Sequence, residues 1–194
     1  MGVLMKQLRL IVIFTIIFMM ILLPMHTILA TDINKEDYNP DNITTNSPSV
    51  LLMDPKTGQI LYSKNAFERR YPARTTKLMT AILTLENCEL DDVATVSHNA
   101  IFSIPVGYSH ANLQENEELT IEQLLNVLMI PSANDAAIVL AEHISGSVEA
   151  FADKMNAKAK ELGCLDTHFV NPNGVHDENH YSTAYDLALI GRYA

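Results

Sequence analysis

The chain has 194 residues, with 13 lysines and arginines against 23 aspartates and glutamates, for a formal net charge of −10. A chain this acidic carries no electrostatic footprint for nucleic acid, whose binding depends on neutralising phosphates. Its two cysteines, Cys88 and Cys164, are too few for a disulfide framework. Each follows an expected helix and is read as a small buried hydrophobe.

The first nine residues hold Lys6 and Arg9 and no acid, an apolar run covers residues 10–23, Pro24 breaks it, and a candidate cleavage point follows the small Ala30. This is the layout of a secretory signal, and the run is short of the roughly 20 residues that span a bilayer. Residues 1–30 are therefore expected to be a signal peptide of an exported, extracytoplasmic protein. Ile28, three before the cut, is not small, which leaves an uncleaved anchor as the alternative. Residues 31–48 are polar with little periodicity and read as a flexible leader. Asn42-Ile43-Thr44 spells a glycosylation sequon, a three-residue signal too weak to use. The rest of the chain is long enough for one moderate core.

A hairpin comes next. Val50-Leu51-Leu52-Met53 and Gln59-Ile60-Leu61-Tyr62 are strand-like, Asp54-Pro55 opens a turn, and Gly58 closes it. A helix follows from about Pro72 to Thr75 onward, with Leu78, Ala81, Ile82 and Leu85 at helical spacing and Met79 widening the apolar stripe. Positions 74 and 77 are three apart and share a face. Lys77 can therefore act on whatever stands at position 74.

Thr120-Ile121-Glu122-Gln123 has the form of a capping box opening a helix whose apolar face is Ile121, Leu124, Leu125 and Leu128. Met129 and Met79 are placed in the core, and Pro131 ends the helix. Ser132 and Asn134 fall in a short connection before a helix over 136–144, where cap preference alone would make them helix caps. Ser147 caps a further helix that runs to Leu162 and stops at Gly163. Phe169-Val170-Asn171-Pro172-Asn173-Gly174 is turn-rich and is expected to add no chemistry, and a final helix opens within 180–188. His176 and His180 flank Asp177 and Glu178 without a third metal ligand at a recognisable spacing.

Two of these segments carry a resemblance. Arg74-Thr75-Thr76-Lys77, preceded by Pro72-Ala73 and followed by Leu78-Met79-Thr80-Ala81, stands ahead of Pro131-Ser132-Ala133-Asn134-Asp135-Ala136-Ala137. Their order and setting resemble the serine D-alanyl-D-alanine carboxypeptidases, the low-molecular-weight penicillin-binding proteins, whose motifs are S-x-x-K, S-x-N and K-T-G. The resemblance implies an α+β fold of the serine β-lactamase / DD-peptidase (transpeptidase-like) kind. Residues 49–194 would be the N-terminal part of its catalytic domain, truncated after the helical subdomain, with the K-T-G strand and the C-terminal domain absent. Lys56-Thr57-Gly58 spells the third motif, but it precedes the other two and sits in a hairpin tip, so it is read as an ordinary turn.

The reaction implied is acyl transfer on peptidoglycan stem peptides ending in D-alanyl-D-alanine, at the outer face of the cytoplasmic membrane, with β-lactams acylating the same nucleophile. Lys77 would be the general base, Ser132 the proton relay, and Asn134 the group that orients lysine and substrate. No metal or cofactor is implied. Arg74 occupies the nucleophile position. A guanidinium stays protonated and offers no lone pair, and Thr75 points about 100° away around the helix. No acyl-enzyme is expected from the chain as written. A non-catalytic relative that binds peptidoglycan or a partner is the alternative. A β-lactamase fits less well, because the second motif is Ser132-Ala133-Asn134 where that class has S-D-N.

Overall fold

The computed structural model describes residues 35–40 and 42–194, so the expected signal segment lies outside the described residues. Strands β1 (Val50–Met53) and β2 (Ile60–Lys64) pair antiparallel, with Val50 opposite Lys64 and an irregularity between Leu52 and Met53. Asp54 makes their turn: its Oδ1 accepts from the Lys56 and Thr57 amides at 2.9 and 2.7 Å. The Lys56-Thr57-Gly58 triplet thus belongs to a side-chain-stabilised turn, with Gly58 at φ +76°.

A 3₁₀ turn (Ala73–Thr75) leads into α1 (Thr76–Asn87). Strand β3 (Val93–Thr95), the short helix α2 (His98–Phe102) and β4 (Glu118–Thr120) follow, β3 and β4 pairing antiparallel. Helices α3 (Ile121–Met129), α4 (Asn134–Ser145), α5 (Val148–Glu161) and α6 (Ala184–Tyr193) complete the described chain. The capping box of α3 forms as expected: the Gln123 amide donates to Thr120 Oγ1 at 3.2 Å, and the Thr120 amide to Gln123 Oε1 at 2.9 Å. Ser147 caps α5 by accepting from the Ala150 amide.

Helix α4 is central. Eight consecutive residues, Asn134 through Ala141, are buried, because alanines at 136, 137 and 141 let neighbouring backbones approach while Ile138, Val139 and Leu140 fill the gaps. An apolar helix without a wet face is one enclosed by other elements. One core cluster joins α4 to Ile121, Leu124 and Leu128 of α3 and to Val96. The other joins Met79, Ile82 and Leu83 of α1 to Phe151, Met155, Phe169 and Ile190.

Three expectations need correction. Leu85 is 61% exposed, because α1 buries a polar stripe, Thr76, Thr80 and Thr84, at i, i+4 and i+8. These hydroxyls are satisfied: Thr80 donates to the Pro172 carbonyl at 2.6 Å and Thr84 to the Thr80 carbonyl at 2.8 Å. Met129, in the last turn of α3, is half exposed and lies outside the core. The described part of the leader is tied to the domain. Tyr38 and Ser63 exchange backbone hydrogen bonds, and Lys64 Nζ donates to the Thr45 and Ser47 carbonyls. A polar segment lacks a core of its own, but here it satisfies the otherwise open edge of β2.

Candidate active site

The entry to α1 is tightly constrained. Ala73 has φ +48°, left-handed backbone that a residue with a Cβ seldom adopts. Gly174 crosses over this turn at φ +79°, and a Cβ there would lie 1.8 Å from the Ala73 carbonyl oxygen. Only glycine fits at 174. The turn leaves Arg74 exposed, with no ion pair among the described residues, and it aims Lys77, the second residue of α1, inward.

Lys77 is 3% exposed. Its Nζ donates to Asn134 Oδ1 at 2.7 Å and to the Asn173 carbonyl at 2.9 Å. Burial first, and the Arg74 charge second, lower its pKa from the ordinary 10.5 to about 8, against an opposing pull from Asp135. A buried charge loses hydration that two neutral acceptors replace only in part. At a pKa of about 8 roughly a tenth of the amine is neutral at pH 7, and it titrates close to the range in which a general base works best.

Asn134 is the first residue of α4 and is also 3% exposed. The N-cap is Ala133, and no side chain caps the helix, so neither Ser132 nor Asn134 serves the capping role that sequence preference suggests. Ser132 has φ +62°, and its carbonyl accepts from Ser109 Oγ at 2.9 Å. Its own hydroxyl makes no hydrogen bond among the described residues, and the two bonds of Lys77 go elsewhere. The structure thus brings Lys77 and Asn134 into contact, while the Ser132 hydroxyl bonds to neither.

Two groups at the site were given no role from the sequence. The 171–174 loop, read as chemically idle, supplies the Asn173 carbonyl to Lys77 and the Pro172 carbonyl to Thr80. Asn171 closes the loop by accepting from the Gly174 amide at 2.8 Å. Its asparagines and its glycine at a close approach were the available signal. Asp135 is the second group. Its carboxylate accepts from the Ala111 amide at 3.0 and 2.9 Å and from Leu113 at 3.3 Å, which fastens the 105–113 loop to the start of α4.

His180 secures the far side of the loop. The Val170 amide donates to its Nδ1 at 3.1 Å, and its Nε2 lies 2.8 Å from Thr76 Oγ1. Burial lowers its pKa to about 4, so the ring is neutral. With Nδ1 accepting, the proton sits on Nε2 and is donated to Thr76. His180 is a strut between loop and helix, and this accounts for its burial without a metal.

These elements enclose a cavity of about 250 Å³ lined by Arg74, Tyr108, Ser109, Asn134, Asn173 and Gly174 among others. A larger cavity of about 320 Å³, lined by residues including Ile104, Val106 and His110, does not include Asn134, and Lys77 lines neither cavity.

A helical body that sets a buried lysine against the first asparagine of a neighbouring helix, beside a polar cleft, is that of a DD-peptidase. The chain belongs to the peptidase S11 family, described as D-alanyl-D-alanine carboxypeptidase, whose profile matches residues 34–194. It is 43% identical over 150 residues to D-alanyl-D-alanine carboxypeptidase DacF of Bacillus subtilis, covering 74% of this chain and 38% of that protein. It is 37% identical over 145 residues to the D-alanyl-D-alanine endopeptidase of Escherichia coli, covering 74% of this chain and 46% of that protein. The crystal structure of D-alanyl-D-alanine carboxypeptidase DacD from Francisella tularensis aligns with a TM-score of 0.74 at 37% identity, over 80% of this chain and 38% of that one. The chain spans less than half the length of these relatives. No helix among the described residues is long and apolar enough to cross a membrane.

Proposed function

We propose that this chain carries the base-bearing half of a serine-type D-alanyl-D-alanine carboxypeptidase site, trims peptidoglycan stem peptides when position 74 is serine, and forms no acyl-enzyme as Arg74. The observation that carries this reading is Lys77, buried and held by Asn134 and Asn173 one helical turn past position 74. A serine hydroxyl at 74 would give its proton to the neutral Lys77 amine and attack the carbonyl of the penultimate D-alanine. The electron pair of the breaking amide bond goes to the departing D-alanine nitrogen, which takes a proton through Ser132. Water then releases the acyl group. Asn134 keeps the amine in line and faces the cavity where the peptide amide would lie.

Arg74 removes the first step alone, since it has no nucleophilic lone pair. Thr75 cannot replace it: its hydroxyl is engaged by the Pro72 carbonyl at 2.6 Å. β-Lactams would acylate the serine form at the same atom. A peptidoglycan substrate supports a working site outside the cytoplasmic membrane, at the cell wall. A second reading, a binder without catalysis, is favoured by the exposed Arg74 guanidinium lining the cavity, where a peptide carboxylate would meet it.

The test is D-alanine release from a peptide ending in D-alanyl-D-alanine by the full gene product. Arg74→Ser is expected to raise the rate by about 10⁶, the typical cost of a missing nucleophile, and Lys77→Ala on that background to abolish it. Equal rates for the Arg74 and Ser forms would show that position 74 is not the nucleophile position.

A further inference from the structure

Helices α1 and α4 carry the paired site groups in their first turns, Lys77 on one and Asn134 on the other. Their opposite ends also meet. Cys88 is the C-cap of α1, His143 lies in the last turn of α4, and Asp92 comes from the turn after Cys88. One ligand atom from each, the Cys88 sulfur, an Asp92 carboxylate oxygen and a His143 ring nitrogen, lie within 4.8 Å of one another. At 1.5 Å per residue this second meeting point is about 14–16 Å along each helix from the first.

The three side chains suit one kind of guest. A thiolate, an imidazole and a carboxylate are the mixed sulfur, nitrogen and oxygen donors that zinc-class ions take. Thiolate and carboxylate together cancel the charge of a divalent cation. Bond lengths of about 2.0–2.3 Å set tetrahedral ligand atoms about 3.4–3.7 Å apart, so no pair here has to close by more than about 1.4 Å. Side-chain rotation supplies that, because Cys88 is half-buried and Asp92 and His143 are exposed.

The backbone beneath is already fixed. The Cys88 amide donates to the Thr84 carbonyl, the Asp92 amide to Glu89, the Ile121 amide to the Asp92 carbonyl, and the Glu122 amide to Leu90. The Glu89 amide engages Asp92 Oδ2 at 2.9 Å, leaving Oδ1 for a metal. Neither the Cys88 thiol nor the His143 ring makes a hydrogen bond among the described residues.

We propose that Cys88, Asp92 and His143 form a zinc-class divalent-cation site, with water as the fourth ligand, that braces the C-terminal ends of α1 and α4 opposite the Lys77–Asn134 contact. On binding, the metal–sulfur bond replaces the thiol S–H bond, and the proton leaves to solvent. The brace does not depend on the residue at position 74.

Cobalt(II) titrated into the reduced, chelator-free full gene product tests the site. The expected result is a one-to-one thiolate-to-cobalt charge-transfer band in the near ultraviolet, with the intense visible bands of a four-coordinate ion, both lost on adding one equivalent of zinc. Cys88→Ser should remove the charge-transfer band. His143→Ala, at an exposed position, should weaken cobalt binding by about tenfold or more, while Cys164→Ser should leave it unchanged. No charge-transfer band in the unsubstituted protein, a band that survives Cys88→Ser, or affinity untouched by His143→Ala overturns the proposal.

Discussion

Arg74 and Lys77 are one helical turn apart and could hardly be placed more differently. Lys77 is buried, and its amine joins α1, α4 and the 171–174 loop through two short hydrogen bonds. Arg74 is exposed and touches no acid among the described residues. The proposed general base is thus also a joint of the fold, whereas the proposed nucleophile position is exposed. On the proposed reading, this difference would let a chain lose its attacking atom and keep the groups around it. Position 74 can change at little structural cost, and position 77 cannot.

The sharpest way to break the comparison is to disturb the loop that roofs the lysine. Gly174→Ala places a methyl group against the Ala73 carbonyl at a positive φ, and should lower the unfolding free energy by about 3 kcal/mol. Chemical denaturation reads it directly; a near-neutral result would mean that the loop does not close over α1. Lys77→Ala comes next. It strands two buried acceptors, and its cost should be about 2 kcal/mol.

His180 adds a pH test of the same loop. Its folded pKa, lowered to about 4, lies below the ordinary 6.5, so the unfolded chain binds a proton that the folded chain refuses. The stability it supports is present above about pH 6.5 and is lost as pH falls through 4. Denaturation midpoints across that window should fall more steeply for the unsubstituted protein than for His180→Gln, and parallel curves would contradict the buried, neutral ring. The smallest effect belongs to Arg74→Ala, expected within about 0.5 kcal/mol of no change, which calorimetry can set against the loss at Lys77.

Much of this was legible in the chain because the signals were local. Asp54 turning a hairpin, Thr120 and Gln123 boxing a helix start, and Ser147 capping another each act within a few residues. The lysine and asparagine were legible as well, through their motifs and order. What escaped notice depends on distant partners. The threonines of α1 look solvent-facing until Pro172, some 92 residues later, supplies an acceptor. Asn173 meets Lys77 across 96 residues, and the turn residues of its own segment mark a tight loop without marking that contact. Leu85 and Met129 follow helical periodicity but face water, because periodicity marks a face without saying how wide the covering layer is. The polar leader gained its place from the unpaired edge of β2, a requirement visible only once the sheet is built.

The proposed function requires that the machinery around position 74 be intact and lack only its nucleophile. Incubating the full gene product with a fluorescent penicillin, followed by denaturing electrophoresis, tests this most directly. No labelled band is expected from the Arg74 protein, and a band is expected from Arg74→Ser. A covalent band from the Arg74 protein, or none from a folded Arg74→Ser protein, would contradict it.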